Sequence, residues 1–86
     1  MQPVTIYTTA FCPYCTRALK LFRQKKVQIK EIAAGFNAKA KAEMIQRAGG
    51  RRTFPQIFVG DTHVGGCDEL MALDASGKLD PLLTSG

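Results

Sequence analysis

Apolar and polar residues alternate along the first segment of the chain and then change to a helical spacing. Residues 4–8 alternate and are rich in β-branched side chains, which predicts a strand. Residues 13–25 repeat apolar positions at i, i+3, i+4 and i+7, which predicts an amphipathic helix, and Pro13 suits its first turn. Residues 27–32 predict a second strand. The chain therefore opens as a β-α-β unit, whose two strands should be parallel.

The second half of the chain continues this pattern, with turns between its segments. Asn37 can cap a helix that the pair Gly49-Gly50 would end. The predicted elements are a helix at 38–48, strands at 56–59 and 63–64, a helix at 68–75 and a short docking segment at 79–83. The turn at 60–62 makes the last two strands an antiparallel hairpin. The order β-α-β-α-β-β-α predicts an α/β fold with a four-stranded mixed sheet flanked by helices, as one domain over residues 1–86.

Composition and charge narrow the classes of protein. The 86 residues are 45% hydrophobic and 22% charged, which is typical of a globular domain. The net charge of +5 does not indicate nucleic acid, because the cations around the first helix have few aromatic residues among them to stack bases. No apolar run approaches the ~20 residues of a membrane span, and the N-terminus lacks a secretory pattern. We expect a cytoplasmic protein that binds neither nucleic acid nor membrane.

The three cysteines are the candidate reactive groups. Their odd number argues against a fully paired disulfide scaffold, and a Cys-x-x-Cys pair in a reducing compartment is typical of redox catalysis or metal binding. Cys12 comes directly before the predicted helix, where unpaired N–H groups and the helix dipole favour a thiolate. Cys15 lies one turn later on the apolar face and should be more buried. This asymmetry predicts Cys12 as the nucleophile and Cys15 as the resolving thiol.

A zinc site is an alternative use of these cysteines. The formal ligand set would be Cys12, Cys15, Cys67 and His63. However, Pro13 and Tyr14 begin a helix rather than a zinc knuckle, and closed zinc sites usually show two well-spaced ligand pairs. We therefore expect no metal.

Three segments of the sequence resemble a known family. These are Ile6-Tyr7-Thr8 followed by Cys12-Pro13-Tyr14-Cys15, then Thr53-Phe54-Pro55-Gln56-Ile57-Phe58, then Gly65-Gly66-Cys67-Asp68-Glu69-Leu70. Together they resemble a dithiol glutaredoxin of the small bacterial type, over nearly the whole chain. The resemblance implies a thioredoxin-like fold and a monomer, with glutathione as co-substrate. It also implies glutathionylated or disulfide-containing proteins as partners, with ribonucleotide reductase as a family expectation.

The resemblance also implies where glutathione binds. Pro55 resembles the family's cis-proline, which would leave the backbone of Phe54 free to pair with glutathione like an added strand, with Thr53 beside it. The alternative is that Pro55 only opens an edge strand. Tyr14 is a further expected contact. Arg51 or Arg52 could hold the glycyl carboxylate; Arg52 is counted among the expected contacts, with Arg51 as the open alternative.

The start of the third predicted helix supplies the other end of the expected glutathione site. The N–H groups of Gly66, Cys67 and Asp68 suit the γ-glutamyl carboxylate, and the Asp68 carboxylate suits its ammonium group. Asp68 could alternatively serve as the N-cap of that helix. Cys67 is expected to be a buried accessory thiol.

Two positions depart from the family pattern. Thr9 stands where many relatives carry a lysine that helps to hold glutathione, so either affinity is lower or Arg51 or Arg52 compensates. Phe54 stands where relatives usually have a smaller valine.

Two alternative functions are left open by the residues. A carrier of an iron–sulfur cluster ligated by glutathione could use the Cys12 thiolate, although relatives built for clusters usually have one active-site cysteine followed by glycine. A redoxin reduced by thioredoxin reductase instead of glutathione could use the same two cysteines.

Overall fold

The computed structural model describes residues 1–85 and has strands and helices in the order β-α-β-α-β-β-α-α. The strands are β1 (Val4–Thr8), β2 (Ile29–Ala33), β3 (Gln56–Val59) and β4 (Thr62–Gly65). The helices are α1 (Pro13–Gln24), α2 (Ala38–Arg47), α3 (Cys67–Ala75) and α4 (Leu79–Thr84). Within residues 1–85, no helix is long and apolar enough to cross a membrane.

The four strands form one mixed sheet in the order β2-β1-β3-β4. The pair β1–β2 is parallel, as the β-α-β pattern predicts, and the other two pairs are antiparallel. The register between β3 and β4 shifts at Ile57 and Phe58, which brings Phe58 opposite His63. The predicted fold class is confirmed.

The sheet buries different side chains on its two faces because successive strand residues point in opposite directions. Val4 and Ile6 of β1 pack with α1, α3 and α4 in the larger core. Tyr7 of β1 and Phe58 of β3 pack with Met44 of α2 in the smaller core on the opposite face. Because β3 lies between β1 and β4, all four of its residues are buried.

The N-cap residue of α2 is the one that the sequence predicts, whereas the N-cap residue of α3 is not. The side chain of Asn37 accepts a hydrogen bond from the N–H of Ala40 at 3.0 Å, so the predicted cap of α2 is confirmed. Gly66 is the N-cap of α3, which begins at Cys67. The alternative in which Asp68 caps this helix is therefore wrong, because Asp68 already lies inside the first turn.

Boundaries differ from prediction where the chain leaves α1. Lys26 has a φ of 58° and its N–H donates to the Arg23 carbonyl, so a turn follows the helix. As a result β2 begins at Ile29 rather than at residue 27. The bounds of α1, α2, β4 and α3 shift by one residue.

The predicted docking segment near the C-terminus is the short helix α4. Leu79 and Leu83 are buried in the larger core. The N–H of Gln2 donates to the Leu83 carbonyl at 2.7 Å, and Lys25 pairs with Asp80 at 2.8 Å. These contacts hold α4 against the segment before β1 and against the end of α1.

Leu83→Ala should lower the free energy of unfolding by about 2–5 kcal/mol, because it removes a fully buried side chain and leaves a cavity. Leu82→Ala is the matched control, since Leu82 is only half-buried. Urea unfolding followed by circular dichroism measures both. Equal losses would contradict the docking of α4 through Leu83.

Candidate active site

Cys12 occupies the N-cap of α1, with extended backbone angles of −108° and 100°. The N–H of Cys15 donates to Cys12 Sγ at 3.2 Å, and the N–H of Thr16 donates to the Cys12 carbonyl at 3.2 Å. Pro13 follows at the first helical position, where a missing N–H costs nothing. The sulfur therefore takes the place of a capping oxygen, and the helix start favours negative charge on it.

Cys15 is more deeply buried than Cys12. It is 3% exposed, whereas Cys12 is half-buried and borders solvent. Burial raises the pKa of Cys15 to about 12, and the hydrogen bond with Cys12 acts in the same direction. A backbone hydrogen bond from Thr9 opposes this rise. Cys15 is thus a protonated thiol at neutral pH.

Cys67 is also buried, at 4% exposed. Burial raises the pKa of its thiol, and the charge of Arg17 on α1 opposes the rise. The geometry agrees with the expectation of a buried accessory thiol, whose role stays a prediction.

A groove of about 130 Å³ opens between the loop before β3 and the start of α3. Its walls bring together residues from three distant parts of the sequence: Tyr14, Arg51, Thr53, Phe54, Pro55, Gly66, Cys67, Asp68 and Glu69. The Phe54–Pro55 peptide bond is cis, as the resemblance implied. The groove therefore assembles the expected glutathione contacts, with one exception.

Arg52 is the exception, because it does not line this groove, whereas Arg51 does. Arg51 Nη1 pairs with Glu69 Oε1 at 2.6 Å, which fixes the guanidinium at the groove wall. A contact between Arg52 and glutathione stays a prediction.

Glu69 is a groove residue that the sequence reasoning missed. Its Oε1 accepts the N–H of Gly66 at 2.9 Å as well as the hydrogen bond from Arg51. The Gly66 N–H, and then Arg51, lower the pKa of the Glu69 carboxyl. A glutamate three residues after an N-cap is a known helix-start pattern, and that signal could have identified it.

A second cleft borders Cys12 on the side away from this groove. It is lined by Thr8, Thr9, Phe11, Cys12, Pro13, Cys15, Thr16, Leu19 and Glu31. Thr9, which stands at the position of the family's lysine, lines this cleft. It packs so closely on Gly35 that a Cβ at Gly35 would overlap Thr9 Oγ1. The two cysteines thus lie in the cleft, while the expected glutathione contacts lie in the groove.

The formal zinc ligands are not assembled. Across the described residues, no group of three or more His, Cys, Asp or Glu side chains could hold a metal ion. His63 Nε2 is instead hydrogen-bonded to Gln56 Oε1 at 2.7 Å.

The fold and the thiols at the start of α1 are typical of one class, the thiol–disulfide oxidoreductases with a thioredoxin-like fold. The glutaredoxin family model matches residues 4–64. Glutaredoxin from Pseudomonas aeruginosa is 53% identical over 99% of this chain and 100% of its own length. Glutaredoxin 3 from Escherichia coli K12 is 53% identical over 96% of this chain and 99% of its own length.

A solved structure agrees with these relatives. The crystal structure of a buckwheat glutaredoxin–glutathione complex superposes with a TM-score of 0.84 and 35% identity, covering 96% of this chain and 77% of that one. The chain belongs to the glutaredoxin family, whose members are glutathione-dependent oxidoreductases. The family resemblance drawn from the three sequence segments is confirmed.

Iodoacetamide at pH 7 should modify Cys12 of the reduced protein first, because Cys15 and Cys67 are buried and burial raises the pKa of both thiols. Peptide mapping by mass spectrometry gives the rate at each cysteine. In urea all three should react at similar rates, which is the control. Comparable rates at Cys12 and Cys15 in the folded protein would contradict the asymmetry.

Glu69→Gln should destabilise the protein in a pH-dependent way. Because folding lowers the pKa of Glu69 from 4.5, its contribution is complete above that value and is lost as pH falls through the lowered pKa. Wild type should therefore exceed Glu69→Gln in urea midpoint at pH 7, and the gap should narrow below about pH 4.5. A gap that stays constant with pH would contradict the Gly66–Glu69–Arg51 arrangement.

Proposed function

We propose that this protein reduces glutathione mixed disulfides and protein disulfides, with glutathione as electron donor. Cys12 is the nucleophile and Cys15 the resolving thiol. The observation that carries the proposal is the asymmetry across the first turn of α1. One sulfur caps the helix and accepts an N–H group, and the other is buried and protonated.

In the first step, the Cys12 thiolate attacks the glutathione sulfur of a mixed disulfide. A bond forms between Cys12 Sγ and that sulfur, and the substrate's sulfur leaves as a thiolate that takes a proton from solvent. The helix start and the Cys15 N–H support this role by stabilising the attacking thiolate. Access is supported by the half-buried position of Cys12.

In the second step for a glutathione mixed disulfide, the thiolate of a second glutathione attacks the glutathione sulfur bound to Cys12. Glutathione disulfide forms, and Cys12 leaves as the thiolate. Because burial raises the pKa of Cys15 to about 12, its thiolate is scarce, and external glutathione should act faster on this intermediate. For protein disulfides, Cys15 Sγ, one turn away, attacks Cys12 Sγ, so that the Cys12–Cys15 disulfide forms and the protein thiol leaves. Two glutathione molecules then reduce this disulfide and leave as glutathione disulfide.

Glutathione would lie in the groove between the loop before β3 and the start of α3. Thr53 and Phe54 line one wall, and the backbone of Phe54 would pair with the extended tripeptide. Arg51 is the positively charged residue that lines the groove, which supports it as the partner of the glycyl carboxylate. Its neighbour Arg52 is also expected from the sequence to contact glutathione but does not line the groove.

The γ-glutamyl end would lie at the opposite wall. The helix start at Cys67 and Asp68 offers N–H groups to its carboxylate, and the exposed Asp68 carboxylate is available for its ammonium group. Tyr14 lines the groove on the side of α1. The glutathione present in the buckwheat complex supports this ligand for the groove.

Protein substrates would approach Cys12 past Phe11 and Tyr14, two large exposed side chains that flank it. Ribonucleotide reductase as a substrate, a monomeric state, a location in the cytoplasm and one domain over residues 1–86 stay predictions.

Cys12→Ser should abolish turnover of a glutathione mixed disulfide, because no other exposed thiol can attack. Cys15→Ser should keep much of that turnover, because a second glutathione can release the glutathione bound to Cys12. It should lose reduction of protein disulfides, because the Cys12–Cys15 disulfide can no longer form. A coupled assay with glutathione reductase measures both substrates. Undiminished activity in Cys12→Ser would overturn the assignment.

Two further observations separate this function from the alternatives. Anaerobic purification should give a colourless protein, whereas a brown dimer would indicate a cluster carrier. Turnover should depend on glutathione, whereas equal or better turnover with thioredoxin reductase as donor would indicate a different redoxin.

A further inference from the structure

A chain of hydrogen bonds runs from β4 to the wall of the groove. His63 Nε2 lies 2.7 Å from Gln56 Oε1, and Gln56 Nε2 donates to the Thr53 carbonyl at 3.0 Å and to Thr53 Oγ1 at 3.1 Å. Thr53 lines the groove, while neither Gln56 nor His63 does. The buried Gln56 and the half-buried His63 are therefore connected to the groove through Thr53.

The direction of each hydrogen bond follows from the groups themselves. The Thr53 carbonyl can only accept, so the amide NH₂ of Gln56 must face it and the amide oxygen must face His63. That oxygen can only accept, so His63 Nε2 must carry a hydrogen. Burial lowers the pKa of His63, and the charge of Arg51 adds to this, so the neutral ring with its hydrogen on Nε2 is the form present at physiological pH.

His63 is held in place by ring packing. It stacks on Phe58, its partner across the β3–β4 ladder, with centroids 4.9 Å apart and planes at 27°. The guanidinium of Arg47 lies 4.2 Å from the Phe58 centroid and is bonded to the Tyr7 hydroxyl at 2.9 Å. The His63 ring, which carries the Nε2–H donor, thus packs on a layer of side chains between the sheet and α2.

The amide of Gln56 is satisfied by Thr53 and His63. Its side chain is fully buried, and within residues 1–85 every buried side-chain nitrogen and oxygen has a partner. Removing the His63 donor would leave the amide oxygen unpaired, which favours reorientation of the amide away from Thr53. The exposed Thr53 has no hydrogen bond to another side chain in the described part of the chain except the one from Gln56.

We propose that His63 is a positioning residue for the glutathione site, acting through Gln56 to fix Thr53 at the groove wall. The inference rests on the proposed binding of glutathione in this groove. It predicts that His63 matters for substrates that carry glutathione and not for the reactivity of Cys12 itself.

The test compares one peptide carrying glutathione with the same peptide carrying cysteine in its mixed disulfide. His63→Phe keeps a flat ring on Phe58 but removes the donor. It should lower kcat/KM for the glutathionylated peptide about 3- to 10-fold, as expected for one lost hydrogen bond, and leave the cysteinylated peptide unchanged. Thr62→Ala, an exposed neighbour on β4, is the matched control and should change neither.

A double-mutant cycle tests the route through Gln56. Gln56→Met has a similar length and no amide, and combining it with His63→Phe should be no worse than Gln56→Met alone. Losses that multiply would overturn the proposal, and so would an equal loss on both peptides in His63→Phe.

A second variant keeps the test independent of folding defects. His63→Gln retains an N–H donor without the ring and should keep the preference for the glutathionylated peptide, and its loss there would contradict the proposal. If wild type shows no preference for glutathione, the proposed function itself fails. If wild type shows it and His63→Phe keeps it, only the role of His63 fails.

Discussion

The N–H group of Cys15 donates to the sulfur of Cys12 across the first turn of α1, and the chemistry of the site depends on this contact. Because Cys12 is the N-cap of α1, it lies before the first helical turn and borders solvent. Because Cys15 is inside the first turn, its side chain points to the core, where burial raises the pKa of its thiol. One short local structure therefore places one thiol at the surface and one in the interior, a single helical turn apart.

The groove beside this turn is held by hydrogen bonds, some within one segment and one between distant segments. On one wall, the amide of Gln56 holds Thr53 in the loop that ends in the cis Phe54–Pro55 bond. On the other wall, Glu69 binds both the N-cap of α3 and Arg51. A groove made of loops would otherwise lack a fixed shape, since few backbone hydrogen bonds hold such segments. These hydrogen bonds hold the two walls of the groove in place.

The two cores on either side of the sheet support different parts of this arrangement. The larger core, closed by Leu79 and Leu83 of α4, fixes α1 and with it the position of Cys12. The smaller core includes Tyr7 and Phe58, and the Phe58 ring also packs against the Arg47 guanidinium and the His63 ring. The face with α2 thus combines apolar packing with the polar chain that leads to the groove.

The sequence by itself determined the features that depend on near neighbours. The cap at Asn37, the start of α1 at Pro13, the β3–β4 hairpin and the unequal burial of Cys12 and Cys15 all follow from spacing, capping and turns between near neighbours. Only the tertiary structure decided that Arg51 rather than Arg52 lines the groove, because its partner Glu69 is 18 residues away. It also brought His63 to Gln56 through the β3–β4 register. Such choices depend on which side chains the packed backbone brings within hydrogen-bond distance, and periodicity does not contain that information.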